Sequence, residues 1–170
     1  MAVIVAPSDP TSTSSVYATN PGIPLGHTVE KDGREYVFVY NFGADSFAVG
    51  DVVSTSTTFV KGNVSNTAAT VADYTDGTTI RPIIAGIALS VVATTQYGWL
   101  WFKGTGTHAI TTDGNVAAND LLTVTDGAKI ATREVTAATA HRSPIGVAHA
   151  ADSSTTLSSA TLKGDGIFAW

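Results

Sequence analysis

Metal binding and acid–base catalysis depend most often on histidine and carboxylate side chains that lie close together. The four histidines of this sequence are far apart, and none forms the i, i+2 or i, i+4 pair of common metal sites. Only three carboxylates are glutamates, and five aspartates directly precede glycine, as turn-forming residues do. We therefore predict no metal site and no cofactor. The histidines are His27, His108, His141 and His149.

Motifs for covalent catalysis and phosphate binding are also missing from the sequence. It contains no Gly-x-Ser-x-Gly turn and no cysteine, which excludes thiolate zinc sites, cysteine nucleophiles and disulfides. Gly104-Thr105-Gly106 lacks the later glycine and the following helix of a dinucleotide-binding loop, so it is typical of a turn. The sequence therefore predicts that the protein is not an enzyme.

The densest aromatic cluster runs from Tyr97 to Phe102. As a strand, it places Trp99, Trp101 and Lys103 on one face, with Leu100 and Phe102 on the other. Two tryptophans on one strand face can stack on sugar rings, which makes a carbohydrate-binding module one alternative function. Such pairs more often belong to a core or a subunit interface, because large aromatic side chains contribute most there.

A second aromatic strand is predicted at Tyr36–Tyr40. Aromatic residues form one of its faces and valines the other, so both faces must be covered. The domain core covers one face, and a second unit or a neighbouring subunit is expected to cover the other. We expect the contacts with other subunits or a larger partner to involve Tyr17, Tyr36, Phe38, Tyr40, Trp99, Trp101, Phe168 and Trp170.

Composition narrows the class of protein. Of 170 residues only 14% are charged, the net charge is −5, and no basic run exists, so nucleic acid is not an expected partner. No apolar run approaches the ~20 residues of a membrane helix, and we expect no membrane association. The low charge content suggests that copies of the chain or a larger partner cover much of its surface.

These residues are expected to form an all-β fold, with one or two small antiparallel sandwich-like or barrel-like units. Residues 1–25 form a proline-interrupted N-terminal arm, either a disordered tail or a segment that orders on a partner. Residues 26–170 form the β-rich domain. Asp32-Gly33 predicts a tight hairpin turn, residues 63–79 long surface loops, and residues 132–142 the one plausible short helix.

An internal repeat is suggested by two passages that match. Gly86-Ile87-Ala88 and Lys103-Gly104 recur 60 residues later as Gly146-Val147-Ala148 and Lys163-Gly164. Upstream, the passage around Asp51 resembles that around Asp120, 69 residues later. We interpret this as two related β units at about 26–106 and 107–170, although chance matching of common residues remains the alternative.

Several short motifs, built of common residues, follow one another in a fixed order over roughly residues 24 to 164. They are Pro24-Leu25-Gly26, Asp32-Gly33-Arg34-Glu35-Tyr36-Val37-Phe38-Val39, Val49-Gly50-Asp51-Val52-Val53, Ala85-Gly86-Ile87-Ala88, Tyr97-Gly98-Trp99-Leu100-Trp101-Phe102-Lys103-Gly104 and Ile145-Gly146-Val147-Ala148. Their order resembles the capsid decoration (cement) proteins and minor head structural proteins of tailed bacteriophages.

The resemblance implies a virion protein on the outer surface of the capsid, where it would bind the major capsid protein lattice and stabilise the head. It also implies a homo-oligomer, with a trimer favoured. Besides the carbohydrate-binding or receptor-binding module, a component of the tail or of the head–tail junction remains an alternative.

Overall fold

The computed structural model describes residues 9–12, 14–43, 45–55, 63–65, 84–124, 131–133, 145–152 and 154–163. These residues form strands, turns and bends and no helix, which confirms the all-β prediction. The strands are β1 (Thr28–Lys31), β2 (Arg34–Asn41), β3 (Val52–Thr55), β4 (Asn63–Ser65), β5 (Ile84–Ala88), β6 (Tyr97–Gly106), β7 (Ile110–Thr111), β8 (Leu121–Val124), β9 (Ala131–Arg133), β10 (Gly146–Ala148), β11 (Thr156–Leu157) and β12 (Ala160–Lys163).

Strand pairing closes the first half of the chain into a ring. The order β2-β4-β3-β5-β6 returns to β2 through a long antiparallel ladder that runs from the Tyr40–Tyr97 pair to the Arg34–Gly104 pair. The β2–β4 pair is parallel, so the unit is not purely antiparallel as the sequence suggested. Beyond β6 the same sheet continues through β12, β10, β8 and β9, while β7 and β11 form a separate small sheet.

The tight hairpin turn predicted at Asp32-Gly33 is confirmed, and it joins β1 to β2. Lys31 pairs with Arg34 across a two-residue connection. Both connecting residues have positive φ, 53° at Asp32 and 72° at Gly33, as a type I′ turn requires. This turn sets the pairing register of β1 and β2, which determines the face of the sheet on which the aromatic residues of β2 lie.

Two buried clusters lie on opposite sides of β2 and β6. The first, the ring cluster, joins side chains from four strands of the ring and so fills its interior. The second, the shared cluster, joins the outer faces of those strands to the second half of the chain. The ring cluster is Val37, Val39, Phe47, Val53, Ala85, Ala88, Val92, Leu100 and Phe102. The shared cluster is Ile23, Tyr36, Phe38, Val52, Ile87, Trp99, Trp101, Ile110, Val116, Leu122, Ala148, Leu157, Ala160 and Leu162.

The turns that precede β3 and β8 have the same hydrogen bonds. Asp51 accepts a bond from Ala48 N at 2.9 Å, and its own carbonyl accepts one from Ala88 N at 3.0 Å. The equivalent Asp120 accepts a side-chain bond from its own turn at 2.8 Å, and its carbonyl accepts one from Ala148 N at 2.9 Å. Each aspartate therefore holds a turn together, as the sequence predicted for aspartates in these positions.

The strands that follow these two turns also pair in the same register in the two halves of the chain. Val52 pairs with Ile87, which pairs with Trp101. The matching row in the second half is Leu121, Val147 and Thr161, each shifted by the same 69 or 60 residues found in the sequence. We call residues 47–103 the first repeat and residues 116–163 the second repeat.

The predicted strand faces are confirmed for the aromatic residues of β6 but are wrong for Lys103. Trp99 and Trp101 lie in the shared cluster, and Leu100 lies in the ring cluster. The register of β6 against β2 shifts next to Trp101, so Phe102 has no partner residue in the ladder. This bulge turns the following Lys103 to the face opposite the tryptophans.

The described part of the N-terminal arm packs on the chain itself. Tyr17 forms a two-way backbone bridge with Tyr97, with both N–H···O distances at 2.9 Å. Ile23 is buried in the shared cluster, and Val16 packs against the ring cluster. Residues 16–23 therefore contact both buried clusters of the same chain.

Two local predictions differ from the structure. Asn63–Ser65 forms β4 and not a surface loop, because it completes the ring between β2 and β3. Thr132 and Arg133 belong to β9 and not to a helix, because they pair with β8. The rest of residues 63–79 and of residues 132–142 lies outside the described residues.

Candidate interface

Four of the eight predicted interface residues are core residues. Tyr36, Phe38 and Trp101 are fully buried within the chain, and Trp99 is 1% exposed. Their side chains therefore offer no surface to a second subunit, and the two tryptophans form no platform for a sugar. The sequence identified their aromatic faces correctly but could not show that the second repeat of the same chain covers them.

The other side of β2 is also covered from within. Val37 and Val39 are fully buried in the ring cluster, where Phe47, Val53 and Val92 pack around them. The ring therefore covers the valine face, and the second repeat covers the aromatic face, so of the two covers left open by the sequence the structure shows the second unit and not a neighbouring subunit. Because both apolar faces of β2 are buried within the chain, they are not evidence for an oligomer.

Tyr17 and Tyr40, two other predicted residues, are half-buried and lie around Tyr97. The Tyr40 and Tyr97 ring centroids are 4.8 Å apart, and the Tyr17 ring lies 6.2 Å from that of Phe38. Phe38 in turn stacks on Tyr97 with an interplanar angle of 10°. These tyrosines join the arm to the ring, and the contacts described for them lie within the chain. Phe168 and Trp170 lie outside the described residues.

Another surface of the sheet is exposed to solvent, and sequence analysis did not identify it. Two cross-strand rows occupy the outer face of β6, β12, β10 and β8. We call this surface the open sheet face; it consists of Lys103, Thr105, Leu121, Val147, Thr161 and Lys163. The one signal in the sequence was the recurrence of Lys-Gly, which marks the two lysines as equivalent positions but not as neighbours.

Side-chain contacts define the polar part of the open sheet face. Thr105 and Thr161 share a hydrogen bond of 2.7 Å between their hydroxyl oxygens. His149 Nε2 lies 2.6 Å from the same Thr161 hydroxyl. Lys103 and Lys163 are direct cross-strand partners, and both are exposed. Lys103 forms a 2.7 Å ion pair with Glu35 from β2, which raises the pKa of Lys103 above its usual value.

His108 occupies the connection between the two halves of the chain. Its ring lies edge-on to Trp101, with centroids 5.3 Å apart, and its Nε2 is 3.0 Å from the Tyr36 hydroxyl. Burial lowers the pKa of His108, and the positive charge of Arg34 lowers it further. The neutral ring is therefore the form that the folded protein favours.

This geometry predicts a pH-dependent stability. Since the pKa of His108 is lower in the folded protein than its usual value of 6.5, the unfolded chain takes up the proton first. His108 should stabilise the fold fully above about pH 6.5 and progressively less as the pH falls towards its lowered pKa. Urea unfolding at about pH 7.5 and about pH 5.5 measures the loss, which should shrink in His108→Gln.

The Asp9–Lys31 ion pair acts in a different pH range and does not disturb that comparison. The hydrogen bond from Lys31 lowers the pKa of Asp9 to about 2. Its contribution is present above the usual value of 3.8 and declines only as the pH falls from there towards 2. An equal pH dependence in wild type and His108→Gln would contradict the assignment to His108.

Other site types were not found in the described part of the chain. No group of three or more histidine or acidic residues comes together there in a way that could hold a metal ion. Among the same residues, no helix has the length and apolar character needed to span a membrane.

Comparison with known proteins gives a match to a solved structure. No protein-family model matches the chain, and no curated protein sequence does so either. The N base of the head fiber protein gp8.5 of bacteriophage phi29 has a similar fold, with a TM-score of 0.50 at 13% sequence identity. The match covers 78% of this chain and 98% of the phi29 chain. At this identity the similarity concerns the fold.

Proposed function

We propose that this chain is a non-enzymatic structural protein of a tailed-phage virion, a decoration or cement protein that binds the outer capsid lattice and stabilises the head. The observation that carries the proposal is the shared fold with the head fiber base of phi29, which extends over almost all of that chain. The motif order over residues 24–164 favours the same class and depends on the sequence alone.

The chemistry of the described residues agrees with a structural role. The largest aromatic side chains are used to pack the two repeats together, and Asp51 and Asp120 each hold a turn. The proposed partner is the major capsid protein, and the proposed location is the outer surface of the virion. A homotrimer is the proposed assembly; the resemblance to decoration proteins favours it, and the low charge content of 14% agrees with a surface that copies or a larger partner cover.

The number of copies per particle tests this function. Quantitative mass spectrometry of purified virions should give hundreds of copies of this chain, in a fixed ratio to the major capsid protein. A dozen copies or fewer would instead place the protein in the tail or at the head–tail junction. Complete absence from particles would overturn a virion role. Light scattering of the purified protein tests the trimer separately.

A further inference from the structure

Arg34, the first residue of β2, is half-buried and has most of its hydrogen-bond donors free. Its Nε donates to the carbonyl oxygen of Thr105 at 2.9 Å, and this bond holds the guanidinium against β6. A guanidinium has five N–H donors, and in the described part of the chain Arg34 uses this one and pairs with no carboxylate. This is unexpected in a chain with 14 acidic and 9 basic residues.

The indole of Trp101 brings Arg34 and His108 to the same place. A Cβ added to Gly106 would lie 2.9 Å from Trp101 Cζ2 and 3.3 Å from Arg34 Nε, so the arginine can lie this close to the indole only because position 106 is glycine. His108 contacts the same indole, with ring centroids 5.3 Å apart. Its Nε2 lies 3.0 Å from the hydroxyl of the fully buried Tyr36, which orients the imidazole.

The described carboxylates of the neighbouring segments act elsewhere. Burial lowers the pKa of His108, and among the described charges only Arg34 adds to the shift, whereas a nearby carboxylate would oppose it. The hydrogen bond to Asp9 raises the pKa of Lys31, and the charge of Asp32 raises it further. These two acids balance the two bases in total charge. An anion would therefore be attracted by the free donors of the guanidinium and not by a broad positive surface.

We propose that Arg34, with His108 beside it, forms a binding site for one oxyanion, either a small inorganic anion such as phosphate or a carboxylate of a neighbouring protein. Carboxylates and phosphates accept two parallel N–H bonds from one guanidinium. The imidazole adds a positive charge to the site when it is protonated, so binding should tighten as the pH falls. This site goes beyond the proposed function and does not depend on it.

Sulfate is a suitable probe for the site, because its charge does not change over the pH range in which His108 titrates. Thermal unfolding compares about 50 mM sodium sulfate with sodium chloride of equal ionic strength, and sulfate should raise the Tm of wild type by about 2–4 °C more than that of Arg34→Gln. The variant supplies the baseline, since sulfate strengthens apolar burial in any protein. An equal rise in wild type and Arg34→Gln would overturn the proposal.

Two further variants separate the guanidinium from charge alone. Lys163→Gln is the matched control, since it removes one exposed positive charge on the open sheet face, and its Tm should respond to sulfate as wild type does. Arg34→Lys keeps the charge but lacks the two parallel donors, so it should lose more than about half of the extra rise. A full extra rise in Arg34→Lys, or its loss in Lys163→Gln, would contradict a site built on the guanidinium.

The pH dependence tests the part of His108. The extra rise in Tm should be larger at about pH 5.5 than at about pH 7.5, and His108→Gln should remove this difference. An extra rise that is the same at both pH values in wild type would show that His108 does not belong to the site.

Co-sedimentation with purified heads that lack this protein identifies the source of the anion. If a capsid carboxylate occupies the site, Arg34→Gln should bind heads at least about fivefold more weakly than wild type. Equal binding of both proteins would assign the site to a small anion. If wild type does not bind heads at all, the proposed function fails, whereas the sulfate result still decides whether the site exists.

Discussion

Replacing Gly86 with alanine should destabilise the protein by at least about 3 kcal/mol. A Cβ at this position would lie 2.7 Å from the carbonyl oxygen of Trp101, and it would also press on the side chains of Leu100 and Phe102. The φ angle of 150° is one that residues with a side chain rarely adopt. Because the obstacle is the backbone of a paired strand inside the ring, no side-chain rearrangement relieves it.

Gly146 provides an internal repetition of this experiment. A Cβ there would meet the carbonyl oxygen of Thr161, the residue equivalent to Trp101. Gly146→Ala should therefore also cost about 3 kcal/mol. Gly22→Ala is the control, because its φ is also positive, at 92°, but nothing lies within 4 Å of the added atom. Urea unfolding gives the free energy of unfolding of the three variants. If Gly86→Ala lowers it by an amount within about 1 kcal/mol of the Gly22→Ala loss, the contact with the Trp101 carbonyl oxygen does not cause the destabilisation.

The second large effect concerns the two tryptophans of β6, whose indole N–H groups differ. Both rings are buried in the shared cluster. Trp101 Nε1 donates to the carbonyl oxygen of Lys103 at 3.0 Å, whereas Trp99 Nε1 has no acceptor among the described residues. Trp101→Phe should cost about 2–4 kcal/mol, because it removes both packing and a hydrogen bond.

Trp99→Phe is the matched variant, with the same loss of volume in the same cluster. It should cost about 1–2 kcal/mol less than Trp101→Phe, since removing a buried N–H without a partner recovers part of its desolvation penalty. Denaturant unfolding of both variants gives the difference directly. A Trp99→Phe loss equal to or larger than that of Trp101→Phe would mean that the indole hydrogen bond of Trp101 contributes little to stability.

The elements that the sequence predicted well are those with local signals. Alternation of aromatic and aliphatic residues identified both faces of β2, and Asp32-Gly33 identified its turn, because each depends only on neighbouring residues. The matched passages around Asp51 and Asp120 also proved informative, since they form the same turn and the same strand pairs. Fold class followed from these signals together.

The candidate interface was predicted less well, because burial depends on contacts between distant parts of the chain. Tyr36 and Trp101 belong to the strands that the second repeat covers, and no local pattern states which partner covers an apolar face. The reversal of Lys103 depends on a bulge next to Phe102 that the alternation of residues cannot show. The open sheet face was missed for the same reason, since the pairing of Lys103 with Lys163 appears only in the folded sheet.

The two buried clusters also set an order in which the protein can form during synthesis. The ring is complete once β6 has been made, because all its strands and its interior side chains precede residue 107. The second repeat has no such independence, since its buried side chains pack on Trp99, Trp101 and Tyr36. Until β12 leaves the ribosome, these aromatic side chains face solvent and invite aggregation.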